Sequence, residues 1–336
     1  MRNPWQTAWL SCLCWTSTML RMTLGEEAVA VVPLETAPPN AVLQTLGGNQ
    51  FWSDEFVHRE WRIQRNVFTE HCRLIDDNNY RRGWGTYDAC VARFKELQKE
   101  NTAGLEPIKG KVVVMLHGLA RNRHVMDDLG GYLQEHAGHT PIKVTYASTR
   151  RSLDEHAKSL DLVLQRLEGA EEISLVCHSL GNLVVRRYLG LCQEESRPAD
   201  PRLKRMVMLG PPNQGAEMAQ KFANNKLFGL VLGPSAKTLA MDWEQVEQQL
   251  GTPKFEFGII AGSRNINPLV RDDNDLLVTV EETKLAGACD FITFPLLHGQ
   301  LMDNAQARPA ILKFLNEGCF VAPENRRPLV AKSDTR

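Results

Sequence analysis

Short apolar runs alternate along this chain with longer stretches whose apolar residues recur every three or four positions. Lys111-Val112-Val113-Val114-Met115-Leu116 reads as a buried strand that runs into His117-Gly118. A helical stretch near Met126 to His136 follows, and then a second strand over Pro141 to Tyr146. Ser152-Leu153-Asp154-Glu155 has the form of a capping box, opening a helix with Leu153, Ala157, Leu160, Leu164 and Leu167 on one face. Ile173 to Cys177 is an apolar run of strand length. Leu180 to Leu191 then returns to helical spacing through Leu183, Val184, Leu189 and Leu191, which leaves Arg186 and Arg187 to face water. Further strands are predicted over Arg205 to Leu209, Phe255 to Ala261 and Phe291 to Phe294. Strands separated by helices predict an α/β fold, a mainly parallel central sheet with helices on both faces. Sites in such sheets lie beyond the carboxyl ends of the strands, where His117-Gly118 and Ser179 both fall.

The N-terminal third has a different character. Arg2 precedes an apolar stretch from Ala8 to about Leu20, and Ala28-Val29-Ala30 offers a small-x-small cleavage site. Residues 1–30 therefore read as a secretory signal, with a mature chain starting near Val31 and a secreted or periplasmic location. A buried or disordered N-terminal segment is the alternative. Residues 31 to about 50, with Pro33, Pro38, Pro39, Gly47 and Gly48, look like a linker. Phe51, Trp52, Phe56, Trp61, Ile63, Val67 and Phe68 suit helices packed on a larger body, and Tyr87 to Lys99 reads as a further helix. Residues 31–105 are accordingly predicted as a linker and N-terminal helical extension.

Composition narrows the function classes. With 43% hydrophobic and 24% charged residues the chain is an ordinary globular one, and its net charge of −1 gives nucleic-acid binding no support. Beyond the signal lie Cys72, Cys90, Cys177, Cys192, Cys289 and Cys319. An even six in an exported protein permits disulfides, with Cys72 and Cys90 the most plausible local pair. The spacings do not form a zinc site.

The chemistry concentrates at Cys177-His178-Ser179-Leu180-Gly181. A serine on a tight turn between strand and helix is lifted above the sheet at a helix N-terminus, where backbone N–H groups can stabilise an oxyanion. Cys177 stands where this pattern usually has glycine. A serine hydroxyl needs a base, and the base an orienting carboxylate. If the order is serine, acid, histidine, His298 is the base, because it alone of nine histidines follows Ser179. Asp272, Asp273 and Asp275 cluster after the preceding strand; Asp275 is preferred and the other two stay open. The backbone N–H groups of Leu119 and Leu180 would form the oxyanion hole. His117 is expected to brace its turn, and His178 to pack or hydrogen-bond beside the nucleophile.

In this order, Leu116-His117-Gly118-Leu119, the serine turn, Asp275 and His298 make the chain resemble the α/β-hydrolase family. More narrowly, it resembles the bacterial lipase and esterase branch, with likeness also to lipid-remodelling deacylases. Leu209-Gly210-Pro211-Pro212-Asn213-Gln214-Gly215 and His298-Gly299-Gln300-Leu301-Met302 are similar to loops of that branch. The resemblance covers about residues 106–318 and leaves the polar tail after Cys319 unexplained. It implies acyl-ester hydrolysis through an acyl-enzyme, with no metal or organic cofactor. The implied partner is an acyl ester or lipid, which leaves contact with a membrane surface open. Residues 216–250 are either a lid over an acyl pocket or helices closing the core. An acyltransferase or thioesterase would use the same three residues, and a non-catalytic binding protein on the same scaffold is the remaining alternative.

Overall fold

A computed structural model describes residues 43–44, 49–100, 105–215, 234–235, 243–264, 275 and 277–330. The predicted signal, most of the linker, most of the 216–250 segment, and Asp272 and Asp273 lie outside these residues.

The described residues form two sheets. The first is antiparallel, in the order β1-β5-β4-β3-β2: β1 (Leu43–Gln44), β2 (Trp52–His58), β3 (Trp61–Asn66), β4 (Cys72–Ile75) and β5 (Tyr80–Gly85). Here the expectation of helices from Phe51 to Phe68 is corrected. Trp61 and Ile63 alternate with period two, and both are buried with Cys72 and Leu74 against a helix, α1 (Tyr87–Lys99). The turn between β2 and β3 is Arg59-Glu60, with Arg59 at φ 54°, so it carries none of the glycine that marks a hairpin in a sequence. Helix α1 forms as expected, capped by Thr86, whose Oγ1 accepts from the N–H of Ala89 at 3.2 Å.

The second sheet is parallel throughout: β6 (Gly110–Leu116), β7 (Thr140–Val144), β8 (Ala170–His178), β9 (Leu203–Leu209), β10 (Glu256–Gly262) and β11 (Asp290–Phe294), in the order β11-β10-β9-β8-β6-β7. Each strand splits its side chains between two cores. Val112, Val114, Leu116, Leu175 and Cys177 face α3 (Leu153–Gln165) and α4 (Leu180–Glu194). Val113, Met115, Val176 and Val207 face α2 (Asp127–Ala137) and the last helix (Ala307–Glu317). The Ser152–Glu155 capping box is present in both directions. Strand order reverses between β6 and β8, and sites in such sheets form beside this switch point, above the carboxyl ends.

Two further expectations are corrected. Arg186 and Arg187 do not face water; Arg186 is 1% exposed. Helix α4 is covered all round, and Arg186 donates to the carbonyls of Gly251 and Asn213, while Arg187 pairs with Asp154 and Glu194. Cys72 and Cys90 are free buried thiols, as are Cys177, Cys192 and Cys319; Cys289 is free and half-buried. Beyond Cys319 the described chain is tied down at Leu329, which exchanges two backbone hydrogen bonds with Gly287 and Ala288.

The antiparallel sheet is stitched to the parallel one. Asp54 donates its N–H to the carbonyl of Thr145 at 2.8 Å and accepts the Thr145 N–H on its carboxylate at 2.6 Å. Gln50 donates to the carbonyl of Arg121 at 3.0 Å and accepts from the N–H and hydroxyl of Thr149. These contacts join the N-terminal strands to the loops that follow β6 and β7.

Candidate active site

Ser179 occupies the single residue between β8 and α4, with φ 53° and ψ −121°. Few side-chain-bearing residues adopt a positive φ, and here it turns the chain from strand to helix in one step. The Ser179 N–H donates to the carbonyl of Leu209 at 2.9 Å, and its own carbonyl accepts from the Asn182 backbone and side chain, both at 3.0 Å. Ser179 is half-exposed, whereas His178 and Leu180 on either side are buried. Cys177 fits the place usual for glycine because its thiol points into the core beside Leu116 and Tyr146, with no exposed surface. The crowding falls instead on Gly181, where a Cβ would lie 2.8 Å from the carbonyl oxygen of Leu116.

Asp275 and His298 meet although 23 residues separate them. The His298 ring donates from Nδ1 to Asp275 Oδ2 at 2.6 Å, and the His298 N–H donates to the Asp275 carbonyl at 3.0 Å. The other carboxylate oxygen of Asp275 accepts from the N–H groups of Leu277 and Val278 at 3.1 and 2.9 Å. With the carboxylate fully buried and the ring only 6% exposed, this pairing orients the imidazole and leaves Nε2 for other work. The Leu209-Gly210 turn brings the ring towards the serine. A Cβ on Gly210 would lie 3.0 Å from His298 Nδ1, and the preceding Leu209 carbonyl is the one that holds Ser179.

The turn after β6 closes the remaining side. A Cβ on Gly118 would lie 3.1 Å from Ser179 Cβ and 2.9 Å from His178 Nδ1, so the backbone passes directly against the serine. His117 braces this turn as expected, its Nδ1 donating to the Gly118 carbonyl at 2.8 Å. Its ring stacks on Tyr146 at 4.2 Å between centroids, and the Tyr146 hydroxyl donates to the His117 carbonyl. Behind Tyr146, His156 meets the ring edge-on at 4.8 Å and hydrogen-bonds Ser235 at 3.0 Å. Tyr146 and His156 carry no motif in the sequence, and only the fold reveals that they back this turn. Leu119 lies just beyond Gly118, half-buried, and Leu180 is the first residue of α4, whose N–H has no partner within the helix.

Burial sets the charge of the surrounding histidines. It lowers His117 to about 4 and His156 to about 3, and holds His178 well below the ordinary value, so all three are neutral near pH 7. His178 donates from Nε2 to the carbonyl of His298 at 2.9 Å, since a carbonyl can only accept, and this leaves Nδ1 bare and facing Gly118. Among the described residues, no group of three or more His, Cys, Asp or Glu side chains is placed to hold a metal ion.

A half-exposed serine on a strained strand-to-helix turn lies beside the switch point of a parallel sheet, and near it a buried Asp–His pair borders the same turn. The mature lipase BlEst2 of Bacillus licheniformis superposes on the chain with a TM-score of 0.51 at 16% identity, covering 63% of this chain and 93% of that one. The chain has the α/β-hydrolase fold. The propeptide form of the same lipase superposes at a TM-score of 0.50 and 14% identity, covering 67% of this chain and 55% of that one. The family model for palmitoyl protein thioesterase matches residues 112–252 of this chain, from β6 through the serine turn to the loop before β10. Comparison with curated protein sequences gives no match. The chain is thus similar in fold to a bacterial lipase and, over residues 112–252, in sequence to palmitoyl protein thioesterase.

Proposed function

We propose that this hydrolase cleaves carboxylic esters of lipid-like acyl groups through an acyl-enzyme on Ser179. The reading rests on the 2.6 Å hydrogen bond between His298 and Asp275 beside the serine turn. His298 takes the Ser179 proton as the hydroxyl oxygen attacks the acyl carbonyl, and passes it to the leaving alkoxide as the ester C–O bond breaks. Asp275 keeps the ring oriented and stabilises the imidazolium. The N–H groups of Leu119 and Leu180 receive the oxyanion, each contributing about 3 kcal/mol to the transition state. Water then attacks the acyl-enzyme with His298 again as base, releasing the acid and restoring the serine.

A second reading, hydrolysis of acyl thioesters, is favoured by the family match over residues 112–252. The same residues serve it, with a thiolate as the leaving group. p-Nitrophenyl esters of increasing chain length, assayed beside the matching acyl thioesters, separate the two. Ser179→Ala and His298→Ala should each abolish turnover and leave the fold intact, and a fluorophosphonate probe should label the wild-type chain alone. Near-normal turnover in either variant would reject the mechanism. The same reading has the protein exported with cleavage after Ala30, which N-terminal sequencing of exported material checks.

A further inference from the structure

Asn182, Arg186 and Gly190 follow one another at four-residue spacing along α4, so they share a face of the helix that Ser179 begins. Each of them meets backbone. Asn182 donates from Nδ2 to the carbonyls of Ser179 at 3.0 Å and Leu209 at 3.4 Å. Arg186 donates from Nη1 to the carbonyl and the side-chain oxygen of Asn213, both at 3.2 Å, and from Nε to the Gly251 carbonyl at 3.3 Å. Its own carbonyl accepts the Gly251 N–H at 2.8 Å. At Gly190 a Cβ would lie 2.0 Å from the Gln249 carbonyl oxygen, so the chain before β10 rests directly on the helix backbone.

Packing alone does not account for a charge here. Arg186 is 1% exposed and the acceptors it reaches are uncharged oxygens. Burial lowers it to about 10, which leaves it a cation near pH 7. A buried cation gives up hydration that such oxygens restore only in part, and an apolar side chain of similar length often serves stability as well. What the guanidinium adds is direction, because one rigid plane holds oxygens of two separate segments.

One of those segments leads to Asp275. Asn213 is fully buried and donates from Nδ2 to the Thr283 carbonyl at 2.8 Å, and the next residue, Gln214, donates its N–H to the Glu282 carbonyl at 3.0 Å. Both carbonyls belong to a short helix, Val280–Thr283, capped by Thr279. Directly before that cap, the Val278 N–H donates to Asp275 Oδ1 at 2.9 Å and the Val278 carbonyl accepts the Asp275 N–H at 3.1 Å. We propose that Arg186 is a positioning residue: through Asn213 it clamps the arm that carries Asp275 onto the helix that Ser179 begins. Serine and carboxylate are thereby held in register without touching. The catalytic consequence rests on the ester reading, whereas the clamp itself does not.

The test compares full-length Arg186→Met, Arg186→Lys and Asn213→Asp with the wild type, by amide hydrogen exchange and by steady-state kinetics on a short soluble ester. Asn213→Asp keeps an acceptor for Arg186 but loses the donor to Thr283, so it cuts the chain of contacts at a second link. Arg187→Met is the control: Arg187 is 5% exposed and holds Asp154, Glu194 and the Gln249 carbonyl, with no contact to residues 209–215 among the described residues. In Arg186→Met and Asn213→Asp the amides of residues 277–283 should exchange about tenfold faster, with those of β8 unchanged. In the same two variants kcat should fall about tenfold at constant KM. Arg186→Lys should recover part of both, and Arg187→Met should match the wild type in both even where it melts earlier. Wild-type exchange over 277–283 in Arg186→Met would overturn the clamp, and faster exchange with unchanged kcat would overturn the positioning role. An Arg187→Met protein that behaves as Arg186→Met does would overturn it too. Should Arg186→Met not fold, Arg186→Lys and Asn213→Asp carry the same two readouts. A wild-type chain that turns over no ester would sink the ester reading, and the exchange measurement would still decide the clamp.

Discussion

The His178 ring, next to the serine in sequence, holds the backbone carbonyl of His298 through a 2.9 Å hydrogen bond from Nε2, and the two rings lie 4.6 Å apart. One neutral imidazole thereby sets where the loop carrying another can rest. His178→Ala should lower kcat for a short soluble ester about tenfold or more while KM changes little, since an ångström of misplacement costs up to about 100-fold. His178→Gln, which keeps a donor, should recover part of the loss. Equal kcat in the wild-type and alanine proteins would remove the positioning role.

Asp275 is fully buried and its carboxylate is bonded on both oxygens, which gives an amide substitution a definite consequence. In Asp275→Asn the new side-chain NH2 can face His298 and so favour the wrong tautomer. The substitution should cost about three orders of magnitude or more in kcat, and Asp273→Asn far less. The opposite ranking would reassign the acid.

Tyr146→Phe removes the donor to the His117 carbonyl and keeps the stack on the His117 ring. Loss of a buried hydrogen bond should cost about 1 kcal/mol of stability, read from the urea midpoint. The turn bearing Leu119 should loosen with it, and turnover should fall more than affinity for a substrate analogue. Unchanged turnover would show that the stack alone holds the turn.

Acid should destabilise the protein over a defined window. His117, His156 and His178 are kept neutral by burial, whereas in the unfolded chain each binds a proton near 6.5. The unfolded state therefore holds more protons as pH drops below 6.5. Stability is fully present above that value and is lost progressively towards about 4 and about 3 for His117 and His156. Each such histidine costs about 1.4 kcal/mol per pH unit within its window. Urea midpoints measured from about pH 7 to 5 should fall steeply, and a flat profile would contradict the buried neutral rings.

Cys72 and Cys90 should be unreactive thiols, because burial raises them to about 11 and about 12. Alkylation under native conditions should spare both, and denaturation should expose both. A bridged Cys72–Cys90 peptide in a non-reducing digest would overturn this.

The parallel sheet was legible because its inner strands are apolar runs buried on both faces, and that pattern does not depend on distant partners. His298 was legible by position, as the last histidine after the final strand. The antiparallel sheet was not, since Trp52, Phe56, Trp61 and Ile63 fit either a helical stripe or strand alternation, and the Arg59-Glu60 turn has no glycine to decide between them. Arg186 misleads for another reason: its acceptors, Asn213 and Gly251, lie 27 and 65 residues away, beyond the reach of local periodicity. Tyr146 and His156 show the same limit, since what they touch is set by the fold and by no motif.

The Asp54 and Gln50 contacts mean that the parallel-sheet part of this chain is not a detachable cassette. Cutting before residue 105 would strip Thr145 of both its backbone partners and Thr149 of its acceptor, and would free the Arg121 carbonyl next to the Gly118-Leu119 turn. An engineer seeking a minimal enzyme, or grafting this core onto another scaffold, would have to carry the first sheet along with it.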